Sequence, residues 1–218
     1  MGSSHRIGFL LIKSLTITVF FFSFLLLSES LLAEVKNSWL SNQLANMDKS
    51  VDVDVDFGYD SNVSVNEIDL ITAEGDRFIR LGFGAELEYQ PAATNNLNLR
   101  YKLSDKRFDD FSDLDIQTHI ISAGAEHQFD RWKAGIIYRY IDANLGGDDF
   151  LKMSQWTPSV SGFLDRQHFI RLGYVNGRKW FVDNPERNAS SNELSFDYYY
   201  FLNGIRQYVA IGTKLKHE

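Results

Sequence analysis

The feature that most constrains this chain is an alternation of apolar and polar residues with a period of two. It begins in VDVDVDFGYDSNV, where Val51, Val53, Val55, Phe57 and Tyr59 occupy every second position and aspartates stand between the first four. Successive side chains of a strand point to opposite faces. The pattern therefore predicts a strand with one apolar and one polar face. Such a strand fits either a half-buried soluble sheet or the wall of a membrane barrel.

The same period returns in eight further segments. They are residues 77–90, 96–106, 118–129, 132–141, 151–164, 168–175, 193–202 and 206–216. Most are about ten residues long, which is the length that a tilted strand needs to cross a bilayer. The segment 151–164 has the poorest alternation, and its Pro158 cannot donate to a ladder. Pro158 therefore predicts a bulge or a sheet edge at that point.

The connections between these segments alternate between longer and shorter ones. The pairs Asp130–Arg131 and Asn203–Gly204 are tight turns, whereas residues 61–76 and 176–191 are long connections and residues 142–149 a medium one. Short turns on one side and long loops on the other are typical of outer-membrane barrels. A soluble sandwich has no reason to sort its loops in this way. We therefore expect the valine face to meet lipid and the aspartate face to meet a watery lumen.

Overall composition excludes several classes of function. A net charge of -7 and a pI near 5.2 argue against nucleic acid as a partner, because phosphate binding needs a basic surface. The absence of cysteine excludes thiol catalysis and cysteine-based zinc sites, and it is compatible with export. A mean hydropathy of -0.24 excludes a bundle of membrane helices but not a barrel with a polar lumen face.

The N-terminus has the organisation of a secretory signal. Arg6 and Lys13 precede an uncharged apolar run, and Ala33 follows as a small residue before a possible cleavage point. An uncleaved membrane anchor is the alternative, but a run of this length falls short of the roughly twenty residues that span a bilayer. We therefore predict a signal peptide over 1–33, a short periplasmic segment over 34–48 that includes a helix, and a β-barrel over 49–218.

Nine strands present a problem of parity. Bacterial single-chain barrels have even strand numbers and end in the periplasm. Glu218 is also not the terminal aromatic residue usual in such barrels. We expect an all-β fold, an antiparallel up-and-down transmembrane β-barrel of which about eight to ten strands are visible, forming part of a larger barrel. The alternatives are an eight-stranded barrel in which segment 151–164 is misread, or several copies that close one barrel together.

The run FGYDSNVSV, residues 57–65, resembles the end of the first strand in the barrel domains of surface lipoprotein assembly modifiers and related repeat-linked outer-membrane proteins. In that family a barrel moves or displays cargo at the cell surface, often behind a periplasmic tetratricopeptide region. The likeness implies the barrel fold, the outer membrane and an export role for this chain. Only about fifteen residues separate the predicted signal from the first strand here, so the repeat region is absent. No functional residues carry over from the family.

Charged residues on the polar face are the candidate lumen lining. They are Asp52, Asp54, Asp56, Arg80, Glu86, Glu88, Arg100, Lys102, Arg139, Arg171 and Lys214. Acidic residues dominate the first two segments, while Arg100, Lys102 and Lys106 come from the third. Adjacent strands of opposite sign predict ion pairs along the wall. These charges either form a constriction that selects solutes or compensate one another in a wall that needs only to be wet.

Chemistry-bearing residues give little support for catalysis. His119, His127 and His168 lie within predicted strands, but no nucleophile motif accompanies them, and a Ser-His-acid site needs convergent geometry. The aspartates in residues 109–115 and 142–149 match no calcium-loop pattern and are interpreted as solvated loops. We expect no catalytic residues, no cofactor and no metal.

These observations favour a non-catalytic Gram-negative outer-membrane barrel that acts as a pore, transport or surface-export component. The expected partners are outer-membrane lipid and lipopolysaccharide, the barrel assembly machinery, and a solute or exported cargo. An outer-membrane enzyme with a Ser/His or Asp/His site at one rim is one alternative. A soluble periplasmic β-sheet binding protein is the other.

Overall fold

The computed structural model describes residues 46–65, 70–203 and 206–217. Nearly all of the described residues belong to one compact unit, Asp48–Glu218. The predicted signal peptide and most of the segment 34–48 lie outside the described residues. Met47 and Asp48, which lie in the predicted segment 34–48 with its helix, instead form the start of the first strand.

The fold is all-β. Its strands are β1 (Met47–Asp60), β2 (Ser64–Val65), β3 (Leu70–Ile71), β4 (Asp76–Ala92), β5 (Asn95–Phe108), β6 (Ile116–Phe129), β7 (Trp132–Leu145), β8 (Asp148–Phe163), β9 (His168–Phe181), β10 (Ala189–Phe201) and β11 (Tyr208–His217). Nine of them form one antiparallel up-and-down sheet in the order β1-β4-β5-β6-β7-β8-β9-β10-β11, while β2 and β3 pair with each other. Short 3-10 turns at Ser112–Leu114 and Pro185–Arg187 are the helical segments of the described chain. No helix among the described residues is long and apolar enough to cross a membrane.

All nine segments predicted from the period of two are strands of this sheet. The expectation of a bulge or an edge at Pro158 was wrong. β8 lies inside the sheet between β7 and β9, and its pairing with β9 keeps one register from Trp156 opposite Asn176 to Ser159 opposite Gly173. Only the pairs at residues 157 and 158 are missing from that ladder. The proline removes one donor without shifting the strands, because the pairs on either side hold the register.

The strands are longer than the sequence predicts, and the loops are correspondingly shorter. Most strands span 13 to 17 residues, and β11 spans 10. The predicted medium loop 142–149 is a two-residue turn at Gly146–Gly147, with both glycines at positive φ. Strict alternation of long and short connections therefore fails at this turn. The alternation of apolar and polar side chains ends before the backbone pairing of the strands does. The sequence pattern therefore does not show the outer ends of the strands.

The connections define two ends of the sheet. We call the end that carries residues 61–75, 109–115, 146–147 and 182–188 the long-loop end. The other, which carries residues 93–94, 130–131, 164–167 and 202–207, is the short-turn end. Three of the four long-loop connections exceed six residues, so the two ends differ in character even though the alternation is imperfect.

Register makes the apolar positions of neighbouring strands coincide. Leu87 faces Leu99, Leu99 faces Ala123, Ala123 faces Tyr138 and Tyr138 faces Trp156, in an unbroken row across five strands. Since directly paired residues share one face of an antiparallel sheet, the apolar sets predicted for the separate segments join into one surface. We call it the apolar face and the opposite surface the polar face.

The apolar face is largely uncovered among the described residues. Val53 and Phe57 are 72% and 77% exposed, and Ile211 and Leu215 remain open at the far edge. The sheet is not closed into a barrel, since β1 and β11 stand at its two edges. The described residues therefore do not form the two-layer arrangement in which a soluble sheet usually buries its apolar side.

A small apolar cluster covers the long-loop end of the polar face. Val63, Val65 and Leu114 are buried, and Phe108 and Leu145 from the sheet pack against them. Val63 also forms two backbone hydrogen bonds with the segment between β3 and β4. Its N–H donates to Glu74 O, and its carbonyl oxygen accepts from Thr72 N. Loop residues from 61–65 and 109–115 thus form a cap, which we call the loop cap.

Candidate solute site on the polar face

Register places the candidate lumen residues on a single surface. The polar face carries Asp52, Asp54, Asp56, Arg80, Glu86, Glu88, Arg100, Lys102, Arg139, Arg171 and Lys214. For β1 this follows from contacts, because Asp56 pairs with Arg80 and Asp54 lies over Gly82 of β4. Whether this surface lines a lumen stays a prediction.

Ion pairs connect the acidic and basic strands. Arg80 binds the carboxylate of Asp56, and Arg100 Nη2 lies 2.5 Å from Glu86 Oε1. Lys214 Nζ lies 3.5 Å from Glu193 at the far side of the sheet. These pairs are exposed to solvent, and such pairs contribute little to stability. They compensate charge on the face, while strand pairing and side-chain packing hold the sheet together.

Lys106 has a denser environment than the other cations. Its Nζ lies 3.0 Å from Asp60 Oδ2 and also stands over the rings of Phe78 and Phe108, at 4.2 and 4.5 Å from their centres. An ammonium over an aromatic face gains cation–π attraction in addition to the ion pair. This residue ties β1, β4 and β5 together directly below the loop cap.

Charges without a partner are sorted across the face. Within the described chain, no ion pair forms at Asp52, Asp54 or Glu88 of β1 and β4. Asp52 and Asp54 lie over Gly84 and Gly82, whose missing side chains leave room for the carboxylates. On the other side, Lys102, Arg139 and Arg171 of β5, β7 and β9 likewise form no ion pair among the described residues. Unpaired carboxylates of the described chain thus lie on β1 and β4 and unpaired cations on β5, β7 and β9, while Asp197 of β10 adds one carboxylate beside Arg171.

A cavity of about 440 Å³ opens on the polar face near the short-turn end. It is lined by Glu126, Lys133, Ser159, Ser161, Phe163, Phe169, Arg171, Tyr199 and Phe201. This volume falls within the roughly 300–1,000 Å³ of small-molecule sites. The lining combines cations, hydroxyl groups and aromatic rings, so it offers both charge recognition and apolar contact.

A row of small residues borders the cavity and meets its lining at Ser159. Gly135 and Gly173 flank Ser159 on the neighbouring strands, and Ser195 follows Gly173 on β10. A side chain on Gly173 would place its Cβ 2.7 Å from Ser195 Oγ. No large side chain rises from this row. The cavity is therefore open on the side that leads from Lys133 and Arg171 to the rest of the polar face.

The histidines lie on the apolar face and do not form a triad. His119 Nδ1 lies 2.8 Å from Tyr101 Oη, and His127 Nδ1 lies 2.5 Å from Asn95 Oδ1. His168 Nδ1 contacts Tyr198 Oη at 2.5 Å, while its Nε2 is 3.8 Å from Asp165. The Asp165 carboxylate instead accepts the backbone N–H groups of Gln167 and His168. These hydrogen bonds lower the pKa of Asp165 and identify it as a turn cap.

Two aspartates near the predicted acidic loops have structural roles. Asp76 accepts backbone N–H groups from Asp110 and Phe111, and Asp115 accepts the N–H of Phe108 at 2.8 Å. Among the described residues, no group of His, Cys, Asp and Glu is arranged to hold a metal ion. Asp109, Asp110 and Asp113 are exposed. Carboxylates thus fasten the loop cap to β4 and β5.

Sequence reasoning identified Arg171 but missed the other residues that line the cavity. The aromatic residues Phe163, Phe169, Tyr199 and Phe201 share the polar face. All four residues have odd numbers, and this was the feature of the sequence that could have indicated their shared face. It became meaningful only once register had fixed which parity of each strand belongs to which face.

No protein-family model matches this chain, and no curated protein is significantly similar to it.

Proposed function

We propose that this chain forms the wall of a Gram-negative outer-membrane β-barrel that acts as a pore, transport or surface-export component without catalysis. The observation that carries the proposal is the segregation of faces over nine strands, with apolar side chains exposed on one face and charged ones on the other. Lipid would cover the apolar face, and water or solute would wet the polar one.

Strand length supports the same proposal. Fourteen residues at roughly 3.4 Å each make a strand of about 48 Å. Tilted by about 45°, such a strand reaches through roughly 34 Å, slightly more than a hydrocarbon core of about 30 Å. The surplus corresponds to the outer ends of the strands at the long-loop end, where Asp105, Gln117 and Asp142 replace apolar residues on the apolar face.

Aromatic residues give partial support. Tyr89, Phe129, Trp132, Tyr198 and Tyr200 lie on the apolar face toward the short-turn end, where an interfacial girdle would sit. Tyr138 and Tyr174 lie instead near the middle of β7 and β9. The rings near the turns suit a membrane interface. The rings in mid-strand pack across strands, as Tyr138 does against Trp156 with ring centres 4.5 Å apart.

The test is fractionation of the full chain expressed in a Gram-negative host. We expect it in the outer-membrane fraction, extractable only with detergent, with an unheated gel band that migrates faster than the heated one. Release by osmotic shock in a form soluble without detergent, with no mobility shift, would favour the soluble binding protein. Stepwise conductance of the purified protein in planar bilayers would distinguish an open pore from a closed export component.

A further inference from the structure

We infer that the cavity at the short-turn end of the polar face binds an aromatic monocarboxylate, a solute with a planar apolar body and one negative charge. The inference deepens the proposed function and rests on it for its biological role, because it names the solute class that the wall would select. The binding chemistry itself depends only on the lining residues.

Arg171 supplies the charge that such a solute needs. Its register neighbours are Ser161 on β8 and Asp197 on β10. The carboxylate of Asp197 leans the other way, toward Gly212, where an added Cβ would lie 2.8 Å from Oδ1. In the part of the chain that the structure describes, Arg171 therefore has no carboxylate partner. A guanidinium presents two parallel N–H groups that match a carboxylate well.

The remaining charges in the lining cancel. Lys133 Nζ lies 2.7 Å from Glu126 Oε1, so these two residues form a neutral pair. Arg171 leaves the lining with a surplus of one positive charge, and the carboxylate of its register neighbour Asp197 lies on the same face outside the lining. Ser161 stands between Lys133 and Arg171 in the same row, where its hydroxyl can donate to the second carboxylate oxygen. The site can therefore neutralise a solute that carries one negative charge.

Aromatic side chains define the other end of the cavity. Phe163 and Phe169 meet edge to face with ring centres 5.0 Å apart, and Phe169 meets Tyr199 in the same way at 5.8 Å. Phe201 lies 5.9 Å from Phe163 and completes the wall. Aromatic pairs gain from offset and edge-to-face contact. A planar ring packed against Phe169 and Tyr199 would continue this arrangement while its carboxylate reaches Arg171.

The test measures binding of 2-naphthoate to the full chain in nonionic detergent, by titration calorimetry. The cationic analogue 2-naphthylmethylamine is the matched probe, since it has the same ring system and the opposite charge. We expect naphthoate to bind and the amine to bind at least tenfold more weakly. Equal affinity for the two probes, or no binding of naphthoate, would overturn the inference.

Variants assign the binding to the cavity. Arg171→Gln should weaken naphthoate binding by about tenfold to a hundredfold, the loss expected for a hydrogen bond to a charged group. Phe169→Leu should weaken it by about twofold to tenfold. Arg139→Gln is the control, because Arg139 lies on the same face without an ion pair among the described residues and outside the cavity lining. Equal losses for Arg171→Gln and Arg139→Gln would refute the site.

The same preparation separates this inference from the proposed function. A heat-modifiable protein in the outer membrane that fails to bind naphthoate would leave the barrel proposal standing and remove the site. A protein that binds naphthoate with the expected variant pattern, but is soluble without detergent, would keep the site and remove the barrel.

Discussion

Gly162 and Gly135 differ in the space that an added methyl group would find. A Cβ on Gly162 would lie 2.5 Å from Trp132 Cε3 and 2.8 Å from the carbonyl oxygen of Arg131. On Gly135 the nearest atom would be 3.4 Å away, which is ordinary contact. At Gly162 a rigid ring and a backbone atom would both have to move, so this glycine is required by packing at the turn that joins β6 to β7.

Gly162→Ala should therefore destabilise the protein by about 1–3 kcal/mol, the usual cost of overpacking. Gly135→Ala, with the same chemical change on the neighbouring strand, should cost far less. Urea titrations followed by the folded band on unheated gels would compare the two. Similar midpoints for both variants would mean that the backbone near Arg131 yields easily.

Asp115 is a second residue whose environment makes a testable difference. Burial raises the pKa of Asp115, despite the hydrogen bond from the Phe108 N–H. A carboxyl group whose pKa is higher in the folded protein binds protons more readily there. Stability should therefore rise as the pH falls through the raised pKa toward the ordinary value of the unfolded chain.

Asp115→Asn keeps an oxygen that accepts the Phe108 N–H and removes the charge. We expect the variant to be at least as stable as the natural protein at pH 7, with the difference shrinking as the pH approaches about 4. Denaturation midpoints at several pH values would measure this. A variant that loses stability at neutral pH would show that the Asp115 charge helps to fasten the loop cap.

At the scale of elements, the loop cap is a unit separate from the sheet ladder. Leu114→Ala removes a buried side chain from its centre, a change that costs about 2–5 kcal/mol where a site cannot collapse. We expect the cap to loosen while the nine strands stay paired. Cleavage at Glu74 by a glutamate-specific protease should accelerate, with the heat-modifiable band retained.

Leu164→Ala is the matched control, since Leu164 is exposed in the turn between β8 and β9 at the opposite end. It should leave the cleavage rate at Glu74 unchanged. Loss of the folded band in Leu114→Ala would instead mean that the cap is part of the cooperative unit that holds the strands.

The nine strands of the sheet could be predicted from sequence, because alternation with period two is a local property, whereas the short strands β2 and β3 lie within the predicted long connection. Strand ends could not be predicted in this way. On the apolar face, Gln117, His119 and Asp142 interrupt the pattern while their backbones remain paired. The loop cap was equally hidden, since Val63 and Leu114 lie far apart in sequence and only the fold brings them together.

At the scale of the whole molecule, the faces of the sheet should respond differently to charge. Leu99 lies near the middle of β5 on the apolar face, and Lys102 lies on the polar face of the same strand. If lipid covers the apolar face, Leu99→Arg should cost roughly 2–4 kcal/mol. Lys102→Ala should be tolerated. Folding yield and urea midpoint in detergent or lipid vesicles would measure both, and equal losses would contradict the assignment of faces.

The candidate site could be predicted only in part. Parity located the charged residues on one face, and opposite signs on adjacent strands anticipated the pair Glu86–Arg100 but not Asp56–Arg80, which joins the two strands predicted to be acidic. The cavity depends on residues from five strands, β6 to β10. Such a site arises from register, which local patterns do not determine.

The uneven distribution of unpaired charge has a consequence for any solute that moves along the polar face. Carboxylates toward β1 and guanidinium groups toward β9 create an electric field that runs across the strands rather than along them. A zwitterion in that field would experience a torque, turning its negative end toward Arg139 and Arg171. The wall would thus orient solutes, and molecules with a large dipole moment would move along it in one preferred orientation.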